Sequence, residues 1–307
     1  MTWPPRDASW AWRGWRPGRW CARAIMPANK ARPSAEMSAW SYARRTLLNP
    51  RSRACFWKHP AQAARMVSGA LGNDLLSLGD RLPGSSRREC PVCRWQGRRF
   101  RTFVSPEIVI PSSICPRCGS FERHRHLVLG MREELARTRA VPERLLGVSL
   151  SPAMSYLVAQ EGLGRCFRTD YDRRDPRIPA DAVADLRAAG FRDGAFAWIV
   201  CSHVLEHVPE VEAAIDELHR VLAPGGVLWL QVAWHDELAA SERIPVDPGA
   251  LDAHAWRFGR DFPARLARPG WSVTGVFATE LDPEVRSRHG IHPDERYWIV
   301  RRACDGE

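Results

Sequence analysis

The chain has 307 residues, 45% of them hydrophobic, enough for one large domain with a smaller companion and for a true apolar core. No apolar run reaches the roughly 18 residues that a membrane-spanning helix needs, and the opening stretch MTWPPRDASWAWRGWRPGRW lacks the unbroken apolar centre of a secretory signal; a soluble, cytoplasmic protein is expected. The net charge of +10 does not mark a nucleic-acid binder, because residues 1–89 hold 16 Lys/Arg against 5 Asp/Glu (+11) while residues 90–307 hold 29 against 30 (−1). Of the basic residues 43 are Arg, a bias that GC-rich coding explains as readily as phosphate binding.

Residues 1–36 carry five Trp among Arg, Pro and Ala, with no helical or strand period, and are expected to be disordered; Met37 or Met66 are alternative starts of translation. Residues 37–80 are weakly helical in pattern, and RLPGSSRRE (81–89) reads as a linker. The segment 88–126 bears two C-x-x-C pairs. ERHRHLVLGMREELARTR (122–139) reads as a helix with Leu127, Met131 and Leu135 along one face. Beyond Pro142, apolar runs alternate with amphipathic segments. RLLGVSL, RCFRTDY, AFAWIVCS and VLWLQVAW read as strands, and AMSYLVAQEG and EVEAAIDELHRVL as helices. The second helix carries Val211, Ile215, Leu218 and Leu222 on one face and is expected to stop at Pro224-Gly225-Gly226. Such alternation predicts a parallel sheet with crossover helices. Three segments follow: 1–87, 88–126 and 127–307.

Of nine cysteines, Cys21, Cys55, Cys166, Cys201 and Cys304 are scattered, which is not a secreted disulfide framework. The other four, Cys90 and Cys93 in CPVC and Cys115 and Cys118 in CPRC, are separated by 21 residues. Two such knuckles supply four thiolates to a tetrahedral zinc, and four thiolates leave no open position for substrate, so the role expected is structural. A module of this size buries too little core to fold alone, and metal binding would contribute roughly 10 kcal/mol or more to its folding. The neighbouring basic cluster ERHRH is expected to be a solvated face.

Within CSHVLEHVPE (201–210), His203, Glu206 and His207 spell H-x-x-E-H, the order of inverted zinc peptidases. That chemistry needs a sustained helix, yet a strand-like WIVCS precedes the motif and Pro209 closes it. The wider segment FRDGAFAWIVCSHVLEHVPEVEAAIDELHRVLAPGGVLWLQVAW instead resembles the second half of class I S-adenosylmethionine-dependent methyltransferases, the type-11 group in particular. With CPVCRWQGRRF…CPRCGSFERHRH in front, and HAWRFGRDFPARLARPGW and ELDPEVRSRHGIHPDERYWIVRR behind, the chain is similar over about residues 88–302 to a bacterial subfamily with a zinc ribbon fused to that fold. Residues 1–87 have no counterpart.

The resemblance implies a Rossmann-like, doubly wound seven-stranded methyltransferase sheet, preceded by a small zinc ribbon and a largely disordered N-terminal segment. It implies S-adenosyl-L-methionine as cofactor, held at the carboxyl ends of the strands. LLGVSLSPAM (145–154) then ends the first strand and contributes Gly147, Ser149 and Ser151, with serines where the family's loop has glycines; an alternative register makes GVSLSPAM the second strand. Asp170 would accept from the ribose hydroxyls, with Asp172 as its neighbour and rival; Asp185 would reach the adenine amine; Ser202 would end the fourth strand. Ala197 stands where the family usually has Asp. Candidate bases are His203 and His254, and His254, Arg257 and Asp261 would lie on a loop over the pocket, with Arg257 placed to clamp an anionic acceptor. A small molecule or a glycan is the expected acceptor. The competing reading is a cofactor-degenerate scaffold whose zinc ribbon binds a partner or nucleic acid.

Overall fold

The apolar runs LLGV, FAWIVCS and GVLWLQ are continuous rather than alternating, the pattern of strands covered on both faces, and they form the middle of a sheet. The computed structural model describes residues 88–104, 109–171, 180–245 and 254–304; the expectations for residues 1–87 and for Asp172 lie outside them. In chain order the elements are β1 (Arg88–Glu89), β2 (Gln96–Gly97), β3 (Arg101–Val104), β4 (Val109–Ile114), α1 (Glu122–Thr138), β5 (Arg144–Val148), α2 (Pro152–Gln160), β6 (Arg165–Asp170), β7 (Ala182–Val183), β8 (Phe196–Ser202), a 3₁₀ turn (Leu205–His207), α3 (Val211–Val221), β9 (Leu222–Gln231), β10 (Glu242–Arg243), β11 (Trp256–Arg257), α4 (Phe262–Leu266), β12 (Trp271–Phe277), α5 (Pro283–His289) and β13 (Arg296–Arg302).

Seven strands form one sheet in the order β12-β13-β9-β8-β5-β6-β7. Strands β5 to β9 run parallel, while β13 is antiparallel to both of its neighbours. β5 therefore lies between β6 and β8, which places GVSL at the first strand and removes the alternative register. Side chains alternate between two cores. Leu146, Ile199, Cys201, Leu228 and Leu230 face α3 and Phe258, whereas Leu145, Trp198, Val200, Val227 and Trp229 face α1 and α2. Trp229 and Trp298 are fully buried, and each such side chain contributes about 1.5–3 kcal/mol by leaving water.

Two expectations change. α3 ends at Val221 rather than at the Pro-Gly-Gly turn, and β9 begins at Leu222, which is already extended (φ −77°, ψ 129°). Pro224 lacks the N–H that a helix would use and pushes the residue before it out of helical space, so Leu222 leaves the helical face. The cluster ERHRH is not solvated: Glu122, His124, Arg125 and His126 are all buried. It forms the first turns of α1, a helix that runs unbroken across residue 126. Phe100, Val92 and the four paired cysteines share one apolar cluster with Leu127, Met131 and Tyr297, so the cysteine module and the sheet are packed through α1. Gly130 is where α1 approaches β13 most closely; a Cβ there would collide with the Tyr297 hydroxyl.

Candidate functional site

The first site is the cysteine cluster. Each knuckle reverses the chain through a left-handed residue after its second cysteine, Arg94 (φ 59°) and Gly119 (φ 72°), and closes with Arg94 N donating to Cys90 O (2.8 Å) and Gly119 N to Cys115 O (3.0 Å). All four Sγ atoms are buried and lie within 4.8 Å of one another. The pairs Cys90–Cys118 and Cys93–Cys115 stand at 3.7 Å, far beyond a disulfide's roughly 2.05 Å but close to the edge of about 3.8 Å for a tetrahedron with metal–sulfur bonds of about 2.3 Å. The charge balance fits as well. Arg125 is fully buried and has no carboxylate partner within ion-pairing distance among the described residues. Its guanidinium donates only to carbonyls: Ser113 O and Ser120 O (both 2.8 Å), His289 O (2.6 Å), Gly290 O (2.8 Å) and, at 3.5 Å, Ser112 O. Burial lowers its pKa, and Cys90 leads the nearby charges that oppose that shift. Four thiolates around a divalent ion carry a net −2, which a buried guanidinium offsets.

The second site is the crevice at the carboxyl ends of β5 and β8, where the chain order of the sheet reverses and open α/β sheets bind ligands. Two residues there take a left-handed backbone, Ser149 (φ 50°) just after β5 and His203 (φ 55°) just after β8. Such conformations in non-glycine residues collect at functional sites. Ser149 thus adopts a backbone conformation that glycine takes most readily. Its Oγ donates to Asp170 Oδ1 (2.9 Å), which also accepts from Tyr171 N (3.0 Å), so the ends of β5 and β6 are joined at the rim.

The remaining candidates separate. Gly147 lies inside β5, where a Cβ would collide with the Leu150 side chain. Ser151 caps α2 by accepting from Met154 N (3.3 Å). Asp185 accepts from Arg187 at both carboxylate oxygens, from Nε (3.0 Å) and from Nη2 (2.6 Å). Ser202 Oγ donates to Gln231 Oε1 (2.9 Å). His254 packs edge-on against His207, with ring centroids 4.7 Å apart. Asp261 is occupied by Ser241 and Arg265. Arg257, the expected anion clamp, is already neutralised by Glu242 (2.7 Å) and Glu237 (3.0 Å).

His203 gains a partner that the sequence did not reveal. Its Nδ1 lies 2.8 Å from Glu206 Oε1 in the 3₁₀ turn, and Glu206 is fully buried. Glu206 Oε1 also accepts from Ala233 N (3.1 Å). Its role is thus to hold an imidazole rather than to serve a metal-bound peptidase. Burial by itself would raise the Glu206 pKa, but the charge and hydrogen bond of His203, with His207 nearby, bring it to about 2. Because the folded pKa is depressed below the ordinary 4.5, the charged pair stabilises the fold near pH 5, and its contribution is lost as pH falls toward 2. Glu206→Gln is therefore expected to flatten the fall in melting temperature between pH 5 and pH 2. An unchanged slope would mean that the pair carries no such linkage.

Residues 130–230, from the middle of α1 to the end of β9, match the family model described as methyltransferase domain. Ubiquinone biosynthesis O-methyltransferases from strains of Xanthomonas oryzae pv. oryzae are 32% identical over 100 residues, covering 33% of this chain and 37% of theirs; the chain therefore spans little more than a third of the length of these curated relatives. Similar solved structures include an S-adenosylmethionine-dependent methyltransferase from Mesorhizobium loti (TM-score 0.39, 16% identity, 55% of this chain and 97% of that one). Another is 1,6-didemethyltoxoflavin-N1-methyltransferase from Burkholderia thailandensis with 1,6-didemethyltoxoflavin and S-adenosylhomocysteine bound (TM-score 0.39, 11% identity, 58% and 78%). The seven-stranded mixed sheet fits the Rossmann-like methyltransferase fold, and the model match places a methyltransferase domain over its first five strands. No helix among the described residues is long and apolar enough to cross a membrane.

Proposed function

We propose that the chain transfers a methyl group from S-adenosylmethionine to a small-molecule or glycan acceptor seated over the carboxyl ends of β8 and β9, and that Cys90, Cys93, Cys115 and Cys118 hold a structural zinc. The observation that carries the first part is the joined rim beside the switch point: Ser149 and Asp170, at the ends of the adjacent parallel strands β5 and β6, are hydrogen-bonded to each other on one side of the crevice. When bound, the cofactor supplies an electrophilic methyl on a sulfonium. The chain supplies position, and orientation alone can account for much of the rate. Asp170 accepts from the ribose hydroxyls, Asp185 from the adenine amine, and Ser149 and Ser202 border the methionine end.

For a hydroxyl or protonated amine acceptor a base is also needed. With Nδ1–H directed at Glu206, the neutral His203 ring keeps its lone pair on Nε2, which takes the acceptor's proton while the buried carboxylate stabilises the imidazolium that results. His254, set against His207, serves in this reading as a wall of the acceptor pocket.

Calorimetric titration with S-adenosylhomocysteine tests the cofactor assignment. Asp170→Ala leaves two ribose hydroxyls without an acceptor, a loss of roughly 1–3 kcal/mol, so binding should weaken about tenfold to a hundredfold. Asp172→Ala should change it much less. Parent protein that shows no binding at millimolar ligand would favour the scaffold reading instead.

A further inference from the structure

We propose that the acceptor carries an anionic group, a carboxylate or a phosphate, and that this group is bound by Arg123 and His124 in the first turn of α1, beside the ends of β8 and β9. The proposal rests on the methyltransferase reading above and adds the chemical class of the substrate.

Position is the first argument. Gln231, buried at the end of β9, donates from Nε2 to Arg123 O (3.0 Å) and accepts at Oε1 from Ser202 Oγ (2.9 Å). One side chain therefore fastens the amino end of α1 to the ends of both strands. His203 is the next residue after Ser202, and its N donates to Gln231 O (2.9 Å). Arg123 and His124 thus stand on the rim that holds the proposed base.

The second argument is unmet hydrogen-bonding capacity. His124 is only 4% exposed. Its Nδ1 accepts from Phe121 N (3.2 Å), which fixes the proton on Nε2, and that N–H has no partner among the described residues. Burial, followed by the charges of Arg123 and His203, holds its pKa well below the usual value, so it stays a neutral donor. The Arg123 guanidinium lies 4.2 Å from the Phe121 ring centroid, and its Nε is buried with no hydrogen-bond partner. Arg123 has no ion-pair partner among the described residues. Arg123 is half-buried, and an anionic ligand would give its guanidinium the counter-charge it lacks.

The third argument is net charge. The carboxylate nearest in effect is Glu295, just before β13, and it does not ion-pair with Arg123. Burial first, then the charge of Glu122, push its pKa up to about 7, against the opposing pull of Arg123 and Arg125. Near neutral pH it carries only part of its charge, and the first turn of α1 adds the positive end of a 17-residue helix. Arg123 thus differs from Arg257, which Glu237 and Glu242 already hold.

The test is calorimetry on the full chain saturated with S-adenosylhomocysteine, using inorganic phosphate and benzoate as probes. At least one probe should bind with a millimolar Kd, and the tighter of the two identifies the group. Arg123→Gln should weaken that probe about tenfold or more, Arg123→Lys should weaken it less, and Arg257→Gln should leave it unchanged. All three variants should keep the parent's affinity for S-adenosylhomocysteine, which also shows that they are folded. Absence of binding by both probes at tens of millimolar overturns the proposal, as does an Arg123→Gln protein that binds like the parent. Failure of the parent to bind S-adenosylhomocysteine would overturn the methyltransferase reading, and the acceptor assignment with it.

Discussion

A Cys90→Ser chain is expected to lose its stoichiometric zinc and, with it, the folded state of residues 88–126. The strands that carry the first knuckle, β1 and β2, are two residues each, and the β3–β4 hairpin is a single antiparallel pair, which is marginal by itself. What holds it is convergence of four buried sulfurs on one point, and a structural zinc site of this type contributes on the order of 10 kcal/mol. Serine is a poor zinc ligand and leaves three thiolates around an incomplete tetrahedron. Metal analysis should give one zinc per parent chain and well below that for the variant, with a lowered and broadened thermal transition. A variant that keeps both its zinc and its melting temperature would refute the assignment.

Arg125→Leu is expected to be nearly as damaging by a different route. Leucine fills part of the space but abandons carbonyls from three segments: Ser113 in β4, Ser120 beside the second knuckle, and His289 and Gly290 at the end of α5. It also removes the guanidinium stacked 3.8 Å from the Phe100 ring centroid and the cation that offsets the thiolate charge. Loss of one member of such a buried set costs about 3–5 kcal/mol, which corresponds to roughly 10 °C in a domain of this size. Competition with a chelator should show weaker zinc retention as well. Arg125→Lys keeps the charge but cannot reach all of these carbonyls and should fall between. An Arg125→Leu protein with the parent's melting curve would show that the carbonyls are satisfied in another way.

The sheet was legible because its central strands are continuous apolar runs with turn residues between them, and the four cysteines because their spacing permits few other chemistries. The rim was legible only in part. Asp170 and Ser149 could be named from the resemblance, and their hydrogen bond agrees with the register. Glu206 was left without a role once the peptidase reading of H-x-x-E-H was set aside, because only a one-turn 3₁₀ segment brings it, three residues on, to His203. Arg123, His124 and Arg125 were missed because a run of arginines and histidines at a helix start reads as a wet surface. Only the fold shows that this turn is covered by the cysteine module on one side and by the connection between β12 and β13 on the other. Arg257 failed in the opposite sense, since its carboxylate partners Glu237 and Glu242 lie 20 and 15 residues away in sequence.

α1 begins among the knuckles and ends beside β13, where Glu134 meets Arg301 at 2.6 Å. His289 Nδ1 lies 2.8 Å from Glu89 O and His292 Nε2 3.0 Å from Pro111 O, so residues some two hundred positions apart meet at the seam. The cysteine-bearing part is therefore not a detachable appendage. Cut before residue 127, the remaining chain would lose the first turn of α1 and leave the end of α5 and the Tyr297 side of the sheet bare. Transplanted onto another sheet, the knuckles would need Arg125 and its carbonyls carried with them. The two parts share one packed seam, and a change on either side of it is felt on the other.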